Sequence, residues 1–593
     1  MTIKEPDIES YSFSLESNMA DKIYRINMSE LSSSIEDVPE SWAGHGGRGL
    51  TSTIVAAEVP PTCHPLGPNN KLVIAPGLLS GTVAANSGRI SMGAKSPLTG
   101  TIKESNAGGT AAQLLARLGC KAIVLEGQPG DDKWYGINIS ADGVTIAEES
   151  ELIGKGNFAV VETLEARADR KKGIIAVGPA GEMKMAAANI SVKDPDSHIR
   201  SVGRGGLGAV MGSKKVKFIT IDAGEGKVDV ADPEAFKLAN RAFAKALIDH
   251  PVSKGLGQYG TDVMVNIINE SGGLPTRNFS LGQFDGHEKI SGETMHDVIE
   301  ERGGKPKHGC HQGCVIQCSQ IYNDAKKNYK TSGFEYETIW AVGADCCVDN
   351  LDHIAEADHL MDDIGIDSIE IPVALAVAME AGVLEFGDGE GVCRILREEV
   401  AKGTGLGRII GAGTAVVGKA FGVTRVPVVK NQGIPAYDPR AIKGIGITYA
   451  TSTMGADHTM GYAITSNLLN VGGSVDPLSN EGQVELSRNL QIATAAIDST
   501  GMCLFIAFAA LDDETCLPAL VDLINARFGI NLTGDDVVSL GKSILKTEKA
   551  FNEAAGFTKA DDRLPEFFST EALPPHNVVW DMPGEEIDKF WDF

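Results

Sequence analysis

The sequence predicts an α+β protein: a β-rich first part of about 225 residues, then two mainly α-helical units. Three observations lead there. Over the first 220 or so residues, short apolar runs at 71–75, 121–125, 173–177 and 216–221 alternate with turns such as NSGR, NAGG and SADG, a pattern of strands cut by glycine. Asp232-Pro233 then offers a helix start, with aspartate as N-cap and proline at the first helical position. Beyond it, helical periodicity runs over 234–248, 351–363, 369–383 and 484–497, and the unusual residues sit in the loops between. Boundaries near residues 225 and 433 divide the chain into 1–225, 226–432 and 433–593. The end of the chain, with Pro574, Pro575, Trp580 and Trp591, reads as an irregular tail laid on the surface.

Length and composition exclude several classes. The 593 residues exceed the ~100–200 usual for one domain. At 42 % hydrophobic and 22 % charged, the chain can bury a large core, which excludes wholesale disorder. No apolar run reaches the ~18–20 residues of a membrane span, the longest lying near 371–379 and 501–511. The start, MTIKEPDIESYSF, is acidic and lacks the basic flank and apolar stretch of a signal peptide. A formal charge of −26 repels phosphate backbones. A soluble, cytoplasmic protein that binds neither nucleic acid nor membrane is expected.

Ten cysteines and 69 glycines direct attention to particular loops. Cys310, Cys314 and Cys318 stand at equal spacings of four in HGCHQGCVIQC. Three soft sulfurs on a glycine-containing stretch suit a 4Fe–4S cluster or a zinc site with a distant fourth ligand, and His308 and His311 keep zinc open. The bland alternative is a helix face of small buried thiols, against which Gly309 and Gly313 argue. DDIGID at 362–367 and DSTGMC at 498–503 share the form Asp-x-x-Gly-x-(Asp/Cys), each following a helical segment. An aspartate just past a helix end can accept hydrogen bonds from ligand N–H groups, and glycine allows close backbone approach. Taken singly, such a motif marks a helix C-terminus; as a pair they suggest one ligand chemistry used twice. RSVGRGGLGAVMGSK at 200–214 carries three cations on a glycine-rich loop that can present amides to phosphate, or is an ordinary turn; it is not a Walker A sequence. Glu335 and Glu337 lie beside aromatics in EYETIW, a setting that raises a carboxyl pKa, and His458 follows Asp457. Glu356 and His359 share one helix face at i, i+3, as metal ligation or a solvated face would have it.

In combination these residues are specific. The chain resembles the aldehyde ferredoxin oxidoreductase family of tungsten-pterin enzymes over essentially its whole length. The resemblance rests on HGGRGL at 45–50, GRISMGAKSPLTG at 88–100, GRGGLGAVMGSK at 203–214, LPTRNF at 274–279, the cysteine bunch, EYET at 335–338, DDIGID and DSTGMC, in the family's order.

The resemblance implies a β-rich platform for a tungsten bis-pyranopterin. It places the pterin-binding motifs at Asp362, Gly365 and Asp367 and at Asp498, Gly501 and Cys503. It makes Cys310, Cys314, Cys318 and Cys503 the ligands of a 4Fe–4S cluster, with Arg89 between cluster and pterin. Asn106 and the Ser201 carbonyl match positions around a Mg2+ that bridges pterin phosphates, and the glycine-rich loop, Arg204 included, would face those phosphates. Glu337 matches the family's active-site base and His458 its active-site histidine, for oxidation of an aldehyde to a carboxylic acid. Electrons would pass to a ferredoxin or an iron–sulfur subunit, in some assemblies with a flavin/NAD subunit, within an oligomer. Glu356 and His359 resemble an ExxH element that holds a mononuclear metal between subunits. The cysteine spacing is CxxxC where archaeal members have CxxC, and Ser201 replaces a familiar alanine. Two alternatives stand beside this reading: a tungsten-containing aromatic acyl-CoA reductase subunit of the same family, and a non-catalytic zinc or electron-transfer protein. The charge of −26 fits solubility and docking to a basic electron-transfer partner.

Overall fold

The computed structural model describes residues 21–167 and 171–593; the acidic start at 1–13 lies outside the described residues. Strands β1 (Lys22–Asn27), β2 (Ser32–Asp37), β3 (Leu72–Pro76), β4 (Ile90–Lys95), β5 (Ile102–Ala107) and β6 (Cys120–Glu126) form one sheet in the order β2-β1-β6-β3-β4-β5. Strands β7 (Tyr135–Ser140), β8 (Gly143–Glu148), β9 (Gly173–Ala176), β10 (Ile190–Lys193), β11 (Ile199–Val202) and β12 (Val216–Asp222) form a second, β11-β10-β9-β12-β7-β8. Read from its other end, the second order is the first with six added to every number. The pairing senses agree as well: β1 with β6 and β7 with β12 are parallel, while β3–β4 and β9–β10 are antiparallel. One six-stranded unit therefore occurs twice. The two sheets share a core in which Ile74, Met92 and Ile123 of the first meet Ile137, Ile190 and Ile219 of the second.

The expected strands at 71–75, 121–125, 173–177 and 216–221 are β3, β6, β9 and β12. The helix start is as read, with the Asp232 side chain accepting from Ala235 N at the head of Pro233–Asp249. The other expected helices are Leu351–Ile364, Glu370–Glu380 and Gln483–Thr500. Glu370–Glu380 is buried on every side except at its last residue, which explains its unbroken apolar run near 371–379. No helix of the described residues is long and apolar enough to cross a membrane. One hydrophobic cluster runs from Ala180 to Phe590 and crosses residue 433 without interruption. The late helix Gly534–Ala554 returns to the first sheet, where Phe551 packs with Leu50, Val73 and Val124.

The end of the chain is not laid on the surface. Leu573, Trp580, Met582, Ile587 and Phe590 are buried members of the main cluster. Trp580 lies against Gly446 so closely that a Cβ at that position would be 2.4 Å from the indole ring. Irregular backbone disguised this in the sequence; the apolar side chains are what anchor it. Trp580→Ala should therefore cost about 3–5 kcal/mol, the range for a buried aromatic, seen as a lowered denaturation midpoint. A change under about 0.5 kcal/mol, the scale of a surface substitution, would return the segment to the surface.

Candidate active site

Two helices end alike over the two sheets. Leu351–Ile364 stops at Gly365 (φ 76°) and Gln483–Thr500 at Gly501 (φ 81°), both in the left-handed conformation glycine adopts without a Cβ penalty. Asp362 and Asp498 lie inside the last helical turns rather than past the ends, since the left-handed residue comes three positions later. Each following loop pairs with one copy of the repeated unit. Arg89 N donates to Gly501 O (3.0 Å) and Cys503 N to Asn86 O (2.9 Å); Asn189 N donates to Gly365 O (2.9 Å) and Asp367 N to Ala187 O (3.0 Å). Behind the loops sit Gly77 and Gly178, where a Cβ would come 2.0 Å from Gly501 N and 2.3 Å from Ile364 O. Asn106 and Ser201, each the next-to-last residue of β5 and β11, occupy matching places.

Buried polar groups surround both loops. On the first sheet, the Asn106 amide donates to Asp498 Oδ1 (3.3 Å) and to Glu104 Oε1 (3.4 Å). Burial raises both carboxyls; Asp498 raises Glu104 further, and Glu548 raises Asp498 against the pull of Arg48 and Arg89. Asp498 also accepts from Arg48 (3.4 Å), whose guanidinium is clamped by Glu548 at 2.9 and 2.8 Å; this explains the arginine of HGGRGL. On the second sheet, Asp362 accepts from Ser201 Oγ (3.3 Å), and burial with nearby Asp358 raises its pKa. A carboxyl in its neutral form both donates and accepts, and in its charged form accepts only, so raised carboxyls can meet the mixed donor–acceptor edge of a pterin. A cavity of about 300 Å3 lies between the loops, lined by Arg89, Asn189, Ser201, Asp362, Glu337 and Cys503 among others. Gly203 on its wall has no atom within 4 Å of a Cβ position. The residues present fit a pterin cofactor here.

Some assigned residues are occupied differently. Arg204 does not face a phosphate: it donates to Asp367 Oδ2 (3.2 Å), Glu370 Oε2 (3.2 Å), Ala456 O (2.8 Å) and Gly433 O (2.8 Å). Arg200 is paired with Asp194 (2.9 Å), and Lys214 donates to Asn70 O (2.6 Å). The cations of the glycine-rich loop thus fasten it to the protein. Asp367 caps Glu370–Glu380 through Ile369 N (2.8 Å) and Glu370 N (3.1 Å), so it supports the cavity wall. Asn106 Oδ1 and O both accept from Arg89, at 2.7 and 2.9 Å. Carbonyls already held by a guanidinium do not suit Mg2+. Glu356 is bound by Lys330 and by Arg397 (2.9 Å), while His359 stacks on Phe158 at 4.5 Å. Within this chain that carboxylate is already paired with two cations, whereas His359 Nδ1 is buried without a partner.

The cysteine stretch is no helix. Residues 309–318 are turns and bends, with Gly313 at φ 82° and Gln317 at φ 55°. Cys310 and Cys318 line the cavity together with Cys503, which arrives from the second twin motif. Among the described residues, the one set of three His, Cys, Asp or Glu ligand atoms within 4.8 Å of one another is Asp194, His198 and His308. Arg200 already bonds His308 Nδ1 there (3.0 Å), and His308 Nε2 is bonded to Asp196 (2.9 Å). No three of the sulfurs therefore lie within 4.8 Å of one another, whereas tetrahedral ligands at ~2.3 Å around one zinc stand roughly 3.8 Å apart. Burial pushes the Cys318 thiol up and Cys503 up to about 11. Alone, Cys318 and Cys503 hold their protons, while Cys314 and His311 beside it hold the Cys310 thiol well below its usual value; a cationic cluster would take all of them as thiolates. The residues fit a cluster better than a single ion.

Glu337 and His458 meet at the junction of this cavity with a second, apolar one. His458 Nε2 is 2.9 Å from Glu337 Oε1, which also accepts from Tyr437 Oη (3.4 Å); Tyr437 Oη is 2.6 Å from Tyr462 Oη. Burial opposes the charged imidazole, but Glu337 outweighs it and the His458 pKa is raised. The apolar cavity, about 270 Å3, is walled by Leu256, Met264, Ile267, Phe505 and Phe508. Neighbouring Glu335 faces the cysteines instead; burial raises it to about 7. Glu104, Asn189 and the two tyrosines were not singled out in the sequence. Asn189 stands just before β10 as Arg89 stands just before β4, a correspondence visible only once the two sheets are matched.

Comparison with known proteins agrees with this arrangement. The family description "Aldehyde ferredoxin oxidoreductase, N-terminal domain" matches residues 23–223, and "domains 2 & 3" of the same family matches 238–590. A tungsten-containing aldehyde ferredoxin oxidoreductase of Pyrococcus furiosus is 36 % identical over 574 residues, covering 93 % of this chain and 92 % of that protein. The same-named protein of Thermococcus kodakarensis is 37 % identical, with coverages of 93 % and 92 %. The benzoyl coenzyme A reductase active-site complex BamBC has a chain of like fold, with TM-score 0.79, 18 % identity, and coverages of 96 % and 93 %.

The raised His458 pKa gives a test. Its stabilisation is present below the free imidazole value of ~6.5 and is lost as pH rises through the raised folded value. Glu337→Gln removes the main raising partner, so the His458 titration, followed by NMR of labelled histidine, should move to lower pH. An unchanged midpoint would break the pairing.

Proposed function

The chain belongs to the aldehyde ferredoxin oxidoreductase family, and from that premise we propose that this oxidoreductase is a tungsten-pterin enzyme converting aldehydes to carboxylic acids. The observation that carries the reading is the Glu337–His458 pair at 2.9 Å, set where an apolar cavity meets the one lined by the twin motifs and cysteines. Asp362 and Asp498, with Glu104, Asn106, Ser201, Asn189 and Arg89 about them, would hold two pyranopterins, and Cys310, Cys314, Cys318 and Cys503 a 4Fe–4S cluster. When bound, the tungsten cofactor supplies the two-electron redox chemistry and the cluster carries electrons away singly. The overall change takes aldehyde and water to carboxylic acid, two protons and two electrons.

The chain's own residues handle position and protons. The apolar wall of Leu256, Met264 and Phe508 receives the substrate's hydrocarbon part and excludes water. The His458 imidazolium, kept charged by Glu337, donates a hydrogen bond to the substrate oxygen. Glu337 takes a proton from water or from the aldehyde hydrate, and Tyr437 holds its carboxylate by a hydrogen bond. The one Lys or Arg on the apolar cavity's lining is Arg89. That sparsity of cations favours a free aldehyde over an acyl-CoA thioester, whose phosphates call for basic partners. A ferredoxin or iron–sulfur subunit is the proposed acceptor.

Purified protein should contain about one tungsten and about four irons per chain, and oxidise benzaldehyde or acetaldehyde with viologen dye. Zinc alone, or reduction of benzoyl thioester without aldehyde oxidation, would sink the reading. Glu337→Gln should keep both metals while turnover falls about 100-fold or more; an undiminished rate would place the base elsewhere. Cys503→Ala should abolish the cluster's EPR signal, and an intact signal would remove Cys503 from the ligand set.

A further inference from the structure

His458 has a second carboxylate behind it. Its Nε2 meets Glu337 at the cavity, whereas its Nδ1 is buried, makes no hydrogen bond and lies 3.9 Å from Asp457 Oδ1. Asp457 opens the short turn His458–Met460, its Oδ1 accepting from Thr459 N (3.1 Å) and Thr459 Oγ1 (2.8 Å). The other oxygen accepts from Lys103 Nζ at 3.1 Å, and both residues are buried. Lys103 comes from β5 of the first sheet and packs against the glycine-rich loop of the second, where a Cβ on Gly205 would be 2.5 Å from Lys103 Cγ. The carbonyl before Asp457, Ala456 O, accepts from Arg204 (2.8 Å) and from Gln432 (2.6 Å). Both sheets and the last third of the chain thus converge on an aspartate that lines neither cavity.

The proposed reaction gives this arrangement a task. A charged Glu337 holds the imidazolium, but once it has taken a proton from water or the hydrate it is neutral. His458 then loses that counter-charge while its hydrogen bond to the substrate oxygen is still needed. Asp457 is not discharged in the same way. Burial opposes its charge, but Lys103 and Arg204 outweigh burial and hold its carboxyl well below the usual carboxylate range. We propose that the buried Lys103–Asp457 pair positions His458 and supplies a fixed counter-charge that outlasts the protonation of Glu337. One carboxylate takes the proton; the other keeps the imidazolium. This rests on the reading of Glu337 as the base. At 3.9 Å the Nδ1 contact is electrostatic rather than a hydrogen bond. The other groups facing His458 are Arg204, which opposes its charge, and the rings of Tyr437 and Tyr462 at 6.1 and 6.2 Å. Arg204 is itself paired with Asp367 and Glu370. Asp457 is therefore a positioning residue, acting on substrate only through His458.

The experiment follows His458 in the holoenzyme by NMR of labelled histidine, beside turnover of benzaldehyde with viologen dye across pH. In Asp457→Asn the His458 midpoint should fall by about one pH unit and turnover at high pH by the matching factor of about ten. The KM for benzaldehyde and the metal content should stay unchanged. The fall in midpoint should recur when Asp457→Asn is added to Glu337→Gln, because the two carboxylates act separately. Asp457→Asn alone leaves Lys103 buried without a counter-charge. Asp457→Asn/Lys103→Met removes the pair whole and should give the same shift if the single variant fails to fold. An unmoved midpoint, a shift that vanishes in the Glu337→Gln background, or a turnover loss uniform across pH overturns the fixed counter-charge. Wild-type protein without tungsten would overturn the aldehyde reading and the task given to Asp457; a tungsten enzyme with an unmoved midpoint overturns the role of the pair alone.

Discussion

Everything about this site depends on two helix ends being brought against two sheets at backbone distance. At Gly365 and Gly501 the helices turn into the left-handed region, and at Gly178 and Gly77 the opposing sheets leave no room for a Cβ. A methyl group at Gly77 would lie 2.0 Å from Gly501 N, so neither contact tolerates relaxation. These four glycines set how closely the loops carrying Asp362 and Asp498 approach the two sheets. The surrounding charges follow from that closeness. Arg48 and Glu548, both without solvent exposure, are costly to bury and stable only because their bidentate geometry satisfies them mutually.

The two halves are duplicated in topology but not in chemistry. The loop after Gly501 delivers Cys503 to the cysteine set, while the loop after Gly365 delivers Asp367, which is spent on a helix cap and on Arg204. Arg89 and Asn189 hold matching backbone positions, yet only Arg89 brings a charge. The symmetry therefore builds two equal cradles, and single side chains then give one of them the connection to the cysteines.

Much of this was legible in the sequence, and what was not has identifiable causes. Strands β3, β6, β9 and β12 could be read because they are central, buried on both faces and mostly apolar. The edge strands could not: β2, SSSIED, is wholly exposed and β5, IKESNA, is mostly polar. The duplication stayed hidden because topology repeats without sequence periodicity. Glu337, His458 and the cysteines stood out by type and spacing, but the direction in which Arg204 and Glu356 point depends on partners more than 20 residues away. Charge type predicts a ligand only where no closer counter-charge exists. The tail was misread for a related reason: irregular backbone was taken for exposure, whereas Trp580 fills the space that Gly446 leaves.

The return of the C-terminal chain to the N-terminal sheet bears on the order of assembly. Glu548 and Phe551 complete the surroundings of Arg48 and Val73, about 500 residues earlier in the chain. The platform is therefore made first and closed last: during synthesis both sheets emerge long before the helix that locks one of them. Until that helix arrives, Arg48 lacks its counter-ion and the first cradle stays open on one side.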